Sequence, residues 1–173
     1  MEFRAQEMHR IVTTAIVYND KHEFLITKRS MEKKAFPGQW TVPGGGLQVG
    51  DYYDEPANDQ GVWYGALEQS LRREVREEVG VEIGRALYLM DMTLIRDDTP
   101  PTPVLVLSFY APYVSGEVKL DADSTDFAWV SYEQAKGYDL IAGILGELEM
   151  ADRLLKGEDP ASVEYLGDNK GDR

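Results

Sequence analysis

The chain has 173 residues, 43% hydrophobic and 28% charged, which suits one folded domain with a single core and excludes a disordered segment. Its formal net charge of −13 repels nucleic-acid backbone and anionic membrane, so neither a nucleic-acid polymer nor a membrane is an expected partner. The absence of cysteine excludes disulfides, thiolate metal sites and a cysteine nucleophile, and suits a reducing compartment.

Met1 to Arg10 mixes charges without an apolar stretch, unlike a signal peptide. No apolar run approaches the ~20 residues needed to span a bilayer, so a cytoplasmic location is expected. Ile11 to Tyr18 is rich in β-branched residues and stops at the turn signal Asn19-Asp20; Glu23 to Thr27 reads as a second strand. Pro37-Gly38 and Pro43-Gly44-Gly45-Gly46 leave room for only a short strand at Trp40 to Val42. Residues 51–65 lack a clear period and read as loop.

From Ala66 to Val79 the pattern is helical. Leu67, Leu71, Val75 and Val79 recur every four residues, and Gly80 stands where a left-handed cap belongs. Strands follow at Ala86 to Ile95, Val104 to Val114 and Phe127 to Val130. Ser131 and Gln134 form a capping box, and Leu140 to Leu155 carries the apolar stripe of an amphipathic helix. The tail after Lys156 is polar and is expected to fray. These elements predict an α/β fold, an α/β/α sandwich on a mixed sheet, with a single domain over residues 1–157 and a polar tail over 158–173.

Glu74, Glu77 and Glu78 stand at i, i+3 and i+4 and share a helical arc of roughly 100°. Like charges so placed repel by a few tenths of a kcal/mol per neighbour. Glu77 and Glu78 also sit in the last turn, where the helix dipole favours cations. A solvated acidic face balanced by Arg72, Arg73 and Arg76 is one explanation. A hard divalent cation with oxygen ligands, Mg²⁺ or Mn²⁺, is the other.

The upstream segment favours the cation. Pro43-Gly44-Gly45-Gly46-Leu47-Gln48-Val49-Gly50-Asp51, followed by Arg73-Glu74-Val75-Arg76-Glu77-Glu78-Val79-Gly80-Val81, resembles the Nudix box of the Nudix hydrolase family. That pattern begins with Gly, five residues and Glu, and closes after seven more with Arg-Glu-apolar-any-Glu-Glu-any-Gly-apolar. The closing half matches at every fixed position. Asp51 stands in place of the first-half glutamate, and 21 residues separate it from Arg73, which puts an insertion of about 14 residues at 52–65. In the family this arginine typically pairs with the first-half glutamate; the shorter Asp51 and the insertion leave that pair open here.

The resemblance implies a Nudix-type sandwich and a metal-dependent hydrolase that cleaves a diphosphate linkage in a nucleoside diphosphate derivative. A nucleoside triphosphate, giving monophosphate and pyrophosphate, is the first expectation. Glu74, Glu77 and Glu78 would hold the metal with a backbone carbonyl near Gly44, Arg73 would belong to the catalytic group, and Glu74 or Glu77 would act as general base. A distal acidic residue often contributes; Asp126 is the candidate. Among the basic residues Lys28, Arg29, Lys33 and Lys34, Arg29 matches the substrate arginine of mutator-type members, with Lys28 and Lys34 as further phosphate contacts.

Leu25 to Ser30 with Lys34, Gly38 and Pro43 to Gly45 also resembles the upstream motif of the coenzyme A subgroup. A coenzyme A, nucleotide-sugar or dinucleotide pyrophosphatase, or a non-catalytic nucleotide-binding regulator, is therefore an alternative. Isomerases that share the fold use a cysteine, which this chain lacks. Tyr52, Tyr53, Trp63 and Tyr64 in the insertion could stack on a base, close as a lid, or cover a homodimer surface.

Overall fold

The computed structural model describes residues 8–58 and 60–167. In chain order the elements are β1 (Arg10–Tyr18), β2 (Phe24–Arg29), β3 (Trp40–Thr41), β4 (Gly44–Gly46), α1 (Gly50–Tyr53), α2 (Ala66–Val79) and β5 (Glu82–Ile83). They continue with β6 (Leu87–Arg96), β7 (Thr102–Ser115), β8 (Ser124–Val130), α3 (Tyr132–Ala135) and α4 (Ile144–Leu155), followed by a 3-10 turn at Pro160–Ser162. No helix among the described residues is long and apolar enough to cross a membrane.

Strand β1 is the central strand. It runs parallel to β7 from Arg10↔Val104 to Tyr18↔Pro112, while the other strand pairs of the sheet are antiparallel. The sheet is therefore mixed, as the α/β expectation requires. Strands β1 and β2 pair only at Tyr18↔Phe24. Beyond that point they part, and β4 takes the place beside Val12 to Thr14. The parting of two central strands opens the cleft that the candidate site occupies.

Successive side chains of a strand face opposite sides, and β1 uses this to build two cores. Ala15 and Val17 pack with Leu25, Leu71, Val75 and Val79 under α2. Ile16 packs with Phe24, Ile26, Leu148 and Ala151 under α4. Helix, sheet and helix thus form three layers. Leu71, Val75 and Val79 have no exposed surface, which confirms the four-residue stripe. Gly80, at φ +72°, ends α2 in the left-handed conformation and donates its N–H to Arg76 O at 3.0 Å. The expected capping box at Ser131 and Gln134 is present.

Several boundaries differ from the sequence expectations. The segment read as loop from residue 51 opens with the short helix α1. Gly44–Gly46 forms a strand, because three glycines can lie flat against β1. Helix α4 begins at Ile144, four residues later than the apolar stripe suggested; Leu140 instead bridges Trp40, and Ile141 donates its N–H to Trp40 O at 2.8 Å. Strand β8 begins early enough to include Asp126. Beyond α4, Tyr165 lies against Gly143 and Gly146. The ends of the chain, at 1–7 and 168–173, fall outside the described residues, so part of the N-terminal reading and the last six residues of the tail do too.

Leu71→Ala should remove about 3 kcal/mol of stability, since the wholly buried side chain leaves a cavity that α2 and the sheet cannot close. Urea denaturation of the variant against wild type measures this.

Candidate active site

The three arginines of α2 divide the helix surface. Arg72 donates to the carbonyls of Ile83 and Gly84 and to Glu68, and Arg76 pairs with Glu82. Both are occupied with the β5 side of the helix. Arg73 alone turns toward the glutamates and the glycine strand.

Its guanidinium uses every edge. Nε and Nη2 grip Asp51, the latter at 3.1 Å from Oδ2, and Nη2 also donates to Gly46 O at 3.1 Å. Nη1 reaches Glu74 and Glu77, each at 2.9 Å. The Arg73–Asp51 pair that the sequence left open therefore forms. Helix α1 carries Asp51 beside α2 and makes up for the short side chain, while the inserted residues loop away. The Asp51 side chain is 2% exposed. Its hydrogen bond with Arg73 holds the carboxyl below the usual aspartate range and raises the guanidinium in turn.

Glu74 is buried and its carboxylate lies directly on Gly45, where any Cβ would collide with it. That contact explains why the glycine run sits opposite this glutamate. Glu78 accepts the Gly44 N–H at 2.9 Å. Burial pushes the Glu78 carboxyl up to about 7, and the negative charges of Glu74 and Asp121 add to the rise. The Glu77 side chain, 59% exposed, is the open member of the three. A solvated acidic face does not describe this edge, because two of its carboxylates are withdrawn from water.

In kind, these donors fit a hard divalent cation. All are oxygens, and Glu78 is a desolvated carboxylate beside another carboxylate, a charge arrangement that a cation relieves. No three acidic or histidine side chains among the described residues are already gathered to hold a metal; Arg73 bridges Glu74 and Glu77 instead.

Beside this edge, in the cleft between β1 and β2, lies a cavity of about 320 Å³. Gly44 and Glu78 form its border with α2. Val12, Val42, Val104, Val106 and Ile141 supply apolar wall, and Arg10, Arg29, Lys33 and Arg96 supply positive charge. Of the basic residues singled out from sequence, Arg29 lines the cavity, with its Nε held by Ala35 O at 3.0 Å. Lys28 and Lys34 do not line it.

Asp126 stands opposite Lys28 on β8, and its carboxylate accepts its neighbour Phe127's N–H at 2.8 Å. The acidic residue whose charge reaches Glu78 is Asp121, whose N–H bonds Glu78 O at 3.1 Å. The aromatic residues of the insertion do not line the cavity. Trp63 packs between Tyr52 and Tyr53, with ring centroids 5.8 Å apart in each pair.

Sequence reading missed Arg10 and Arg96. A local signal existed, since Arg10-x-Val12-x-Thr14 and Leu94-x-Arg96 alternate along strands. Only the β1–β7–β6 register shows that they meet.

A family model described as the NUDIX domain matches residues 8–148. The chain belongs to the Nudix family. It is a Nudix-type pyrophosphohydrolase, and enzymes of this family generally need a divalent metal. Nucleoside triphosphatase NudI of Klebsiella pneumoniae (strain 342) is 29% identical over 143 residues, 77% of this chain and 89% of the relative. The MutT protein of Methanosarcina mazei Go1 is 27% identical with a TM-score of 0.62, over 88% of this chain and 99% of that one. The NUDIX domain of Shewanella oneidensis NrtR, solved with ADP ribose, shares the fold at 18% identity and a TM-score of 0.66, over 88% and 94% of the two chains.

Asp51→Asn should cost about 2 kcal/mol at pH 7, because Arg73 loses its buried counter-charge. The folded Asp51 carboxyl lies below the ordinary 3.8, so its contribution is complete above that value and is lost as pH falls through the lower folded value. The gap between wild type and variant in urea denaturation should therefore shrink when measured in strong acid.

Proposed function

We propose that this Nudix enzyme hydrolyses a nucleoside triphosphate to the monophosphate and pyrophosphate, with Mg²⁺ as its metal and the cytoplasm as its compartment. One observation carries the reading: the carboxylate edge of α2 borders a cavity that is apolar in its walls and cationic at its rim. A base and ribose suit the walls, and a phosphate chain suits the rim. The NudI relative, named a nucleoside triphosphatase, supports the same substrate class. The lack of cysteine suits a reducing cytoplasm.

Glu74, Glu77 and Glu78, with the Gly44 carbonyl, are the residues that would hold the metal. When bound, a divalent cation offsets phosphate charge and makes water more acidic. Arg73 holds Glu74 and Glu77 in place while Asp51 fixes its orientation. Arg29, across the cavity, orients the phosphate chain as a paired donor. A water oxygen bonds to the α-phosphorus, the bond from that phosphorus to the bridging oxygen breaks, and pyrophosphate leaves. The water's proton passes to Glu77, the carboxylate with open access to solvent.

Glu77→Gln should lower kcat by roughly 100-fold or more while leaving the thermal melt in place, since the side chain is largely exposed and its size is kept. Monophosphate and pyrophosphate release from a panel of nucleoside triphosphates in Mg²⁺ measures it. Undiminished turnover by the variant, or release of orthophosphate alone by wild type, overturns the reading.

A further inference from the structure

Four cations line the cavity, but they are not equivalent. Lys33 is paired with Asp123 and Arg96 with Asp98. Arg29 is tied by its Nε to Ala35 O. Arg10 makes no hydrogen bond or ion pair among the described residues, and Asp98 senses its charge only through space. In a chain of net charge −13, an arginine at a cavity rim without a carboxylate partner stands out.

Its position is specific. The guanidinium lies over Gly46, where a Cβ would come 2.7 Å from Nη2 and 3.1 Å from Cζ. Gly46 thus leaves room for Arg10 in the same way that Gly45 leaves room for Glu74. The Gly46 carbonyl meanwhile accepts Arg73 Nη2 at 3.1 Å. Gly44, whose N–H meets Glu78, and Gly46, beneath Arg10, stand two apart on β4 and share one strand face, and Glu78 and Arg10 both line the cavity. A phosphate chain that runs along this face of β4 from Glu78 meets Arg10 next.

We propose that Arg10 is a specificity-determining residue that binds the terminal phosphate of a triphosphate chain, so that the site selects nucleoside triphosphates over diphosphates of the same base. The inference rests on the substrate class proposed above. A terminal phosphate carries the most charge in the chain and offers several oxygens, which suits the forked donors of a guanidinium whose valence is not already used. A diphosphate keeps the scissile linkage but ends before Arg10.

The test uses Arg10→Met, which keeps the aliphatic length, and Arg10→Lys, which keeps the charge. For each, kcat/KM in Mg²⁺ is measured with a nucleoside triphosphate and the diphosphate of the same base. Calorimetry with the corresponding α,β-methylene analogues gives binding separately from turnover. Loss of a charge-assisted contact should lower triphosphate kcat/KM for Arg10→Met by roughly 10- to 100-fold, mostly through KM. Analogue binding should fall by a similar factor and the diphosphate should stay within about 2-fold, with Arg10→Lys in between.

Equal losses with both substrates, no loss with either, or a change that follows the base and not the phosphate count would each overturn the role of Arg10. Wild type that turns over no nucleotide yet binds the triphosphate analogue in an Arg10-dependent way would overturn the hydrolytic reading and uphold this one.

Discussion

The site depends on one guanidinium in a fixed place. Glu74, Glu77 and Glu78 crowd the C-terminal end of α2, where the helix dipole adds to their mutual repulsion. Each of those effects is worth only tenths of a kcal/mol at a surface, but burial magnifies them, as the raised Glu78 carboxyl shows. Arg73 is the cation that meets this charge within the chain. By binding Asp51, Gly46, Glu74 and Glu77 together it also joins α1, β4 and α2. Arg73 thus holds Glu74 and Glu77 to one guanidinium nitrogen.

The insertion between Asp51 and Arg73 tests that constraint. Fourteen or so additional residues could have separated the pair. Instead the added chain starts in α1, which packs beside α2 and delivers Asp51, and the remainder folds on itself. Trp63 donates to Glu55 O at 2.8 Å and stacks with two tyrosines. Long surface insertions cost little closure entropy when their ends are anchored close together. The pair survives because the anchor lies at the start of the insertion.

Charge is also sorted at a larger scale. The chain is strongly acidic, yet its cavity is rimmed by Arg10, Arg29, Lys33 and Arg96. Against a negative background a local positive rim focuses the field at the cleft, where an anionic substrate must enter. Arg72 and Arg76 are kept out of this rim by their bonds to Ile83, Gly84 and Glu82, which leaves Arg73 as the arginine of α2 that pairs with its acidic edge.

What the sequence determined by itself was whatever depends on neighbours within one or two turns. The four-residue apolar stripe of α2, its Gly80 cap, the i, i+3, i+4 glutamates and the Ser131 capping box are all local, and each is where the residues placed it. The mixed α/β class followed from the order of such elements. Tertiary structure decided which charges meet across the cleft. Arg10 and Arg96 line the cavity while Lys28 and Lys34 do not, and Asp121, not Asp126, stands near Glu78. Those outcomes rest on strand register and on the parting of β1 from β2. Shifting a register by one residue exchanges the two faces of a strand, and a register between residues far apart in the chain leaves no mark in the local pattern.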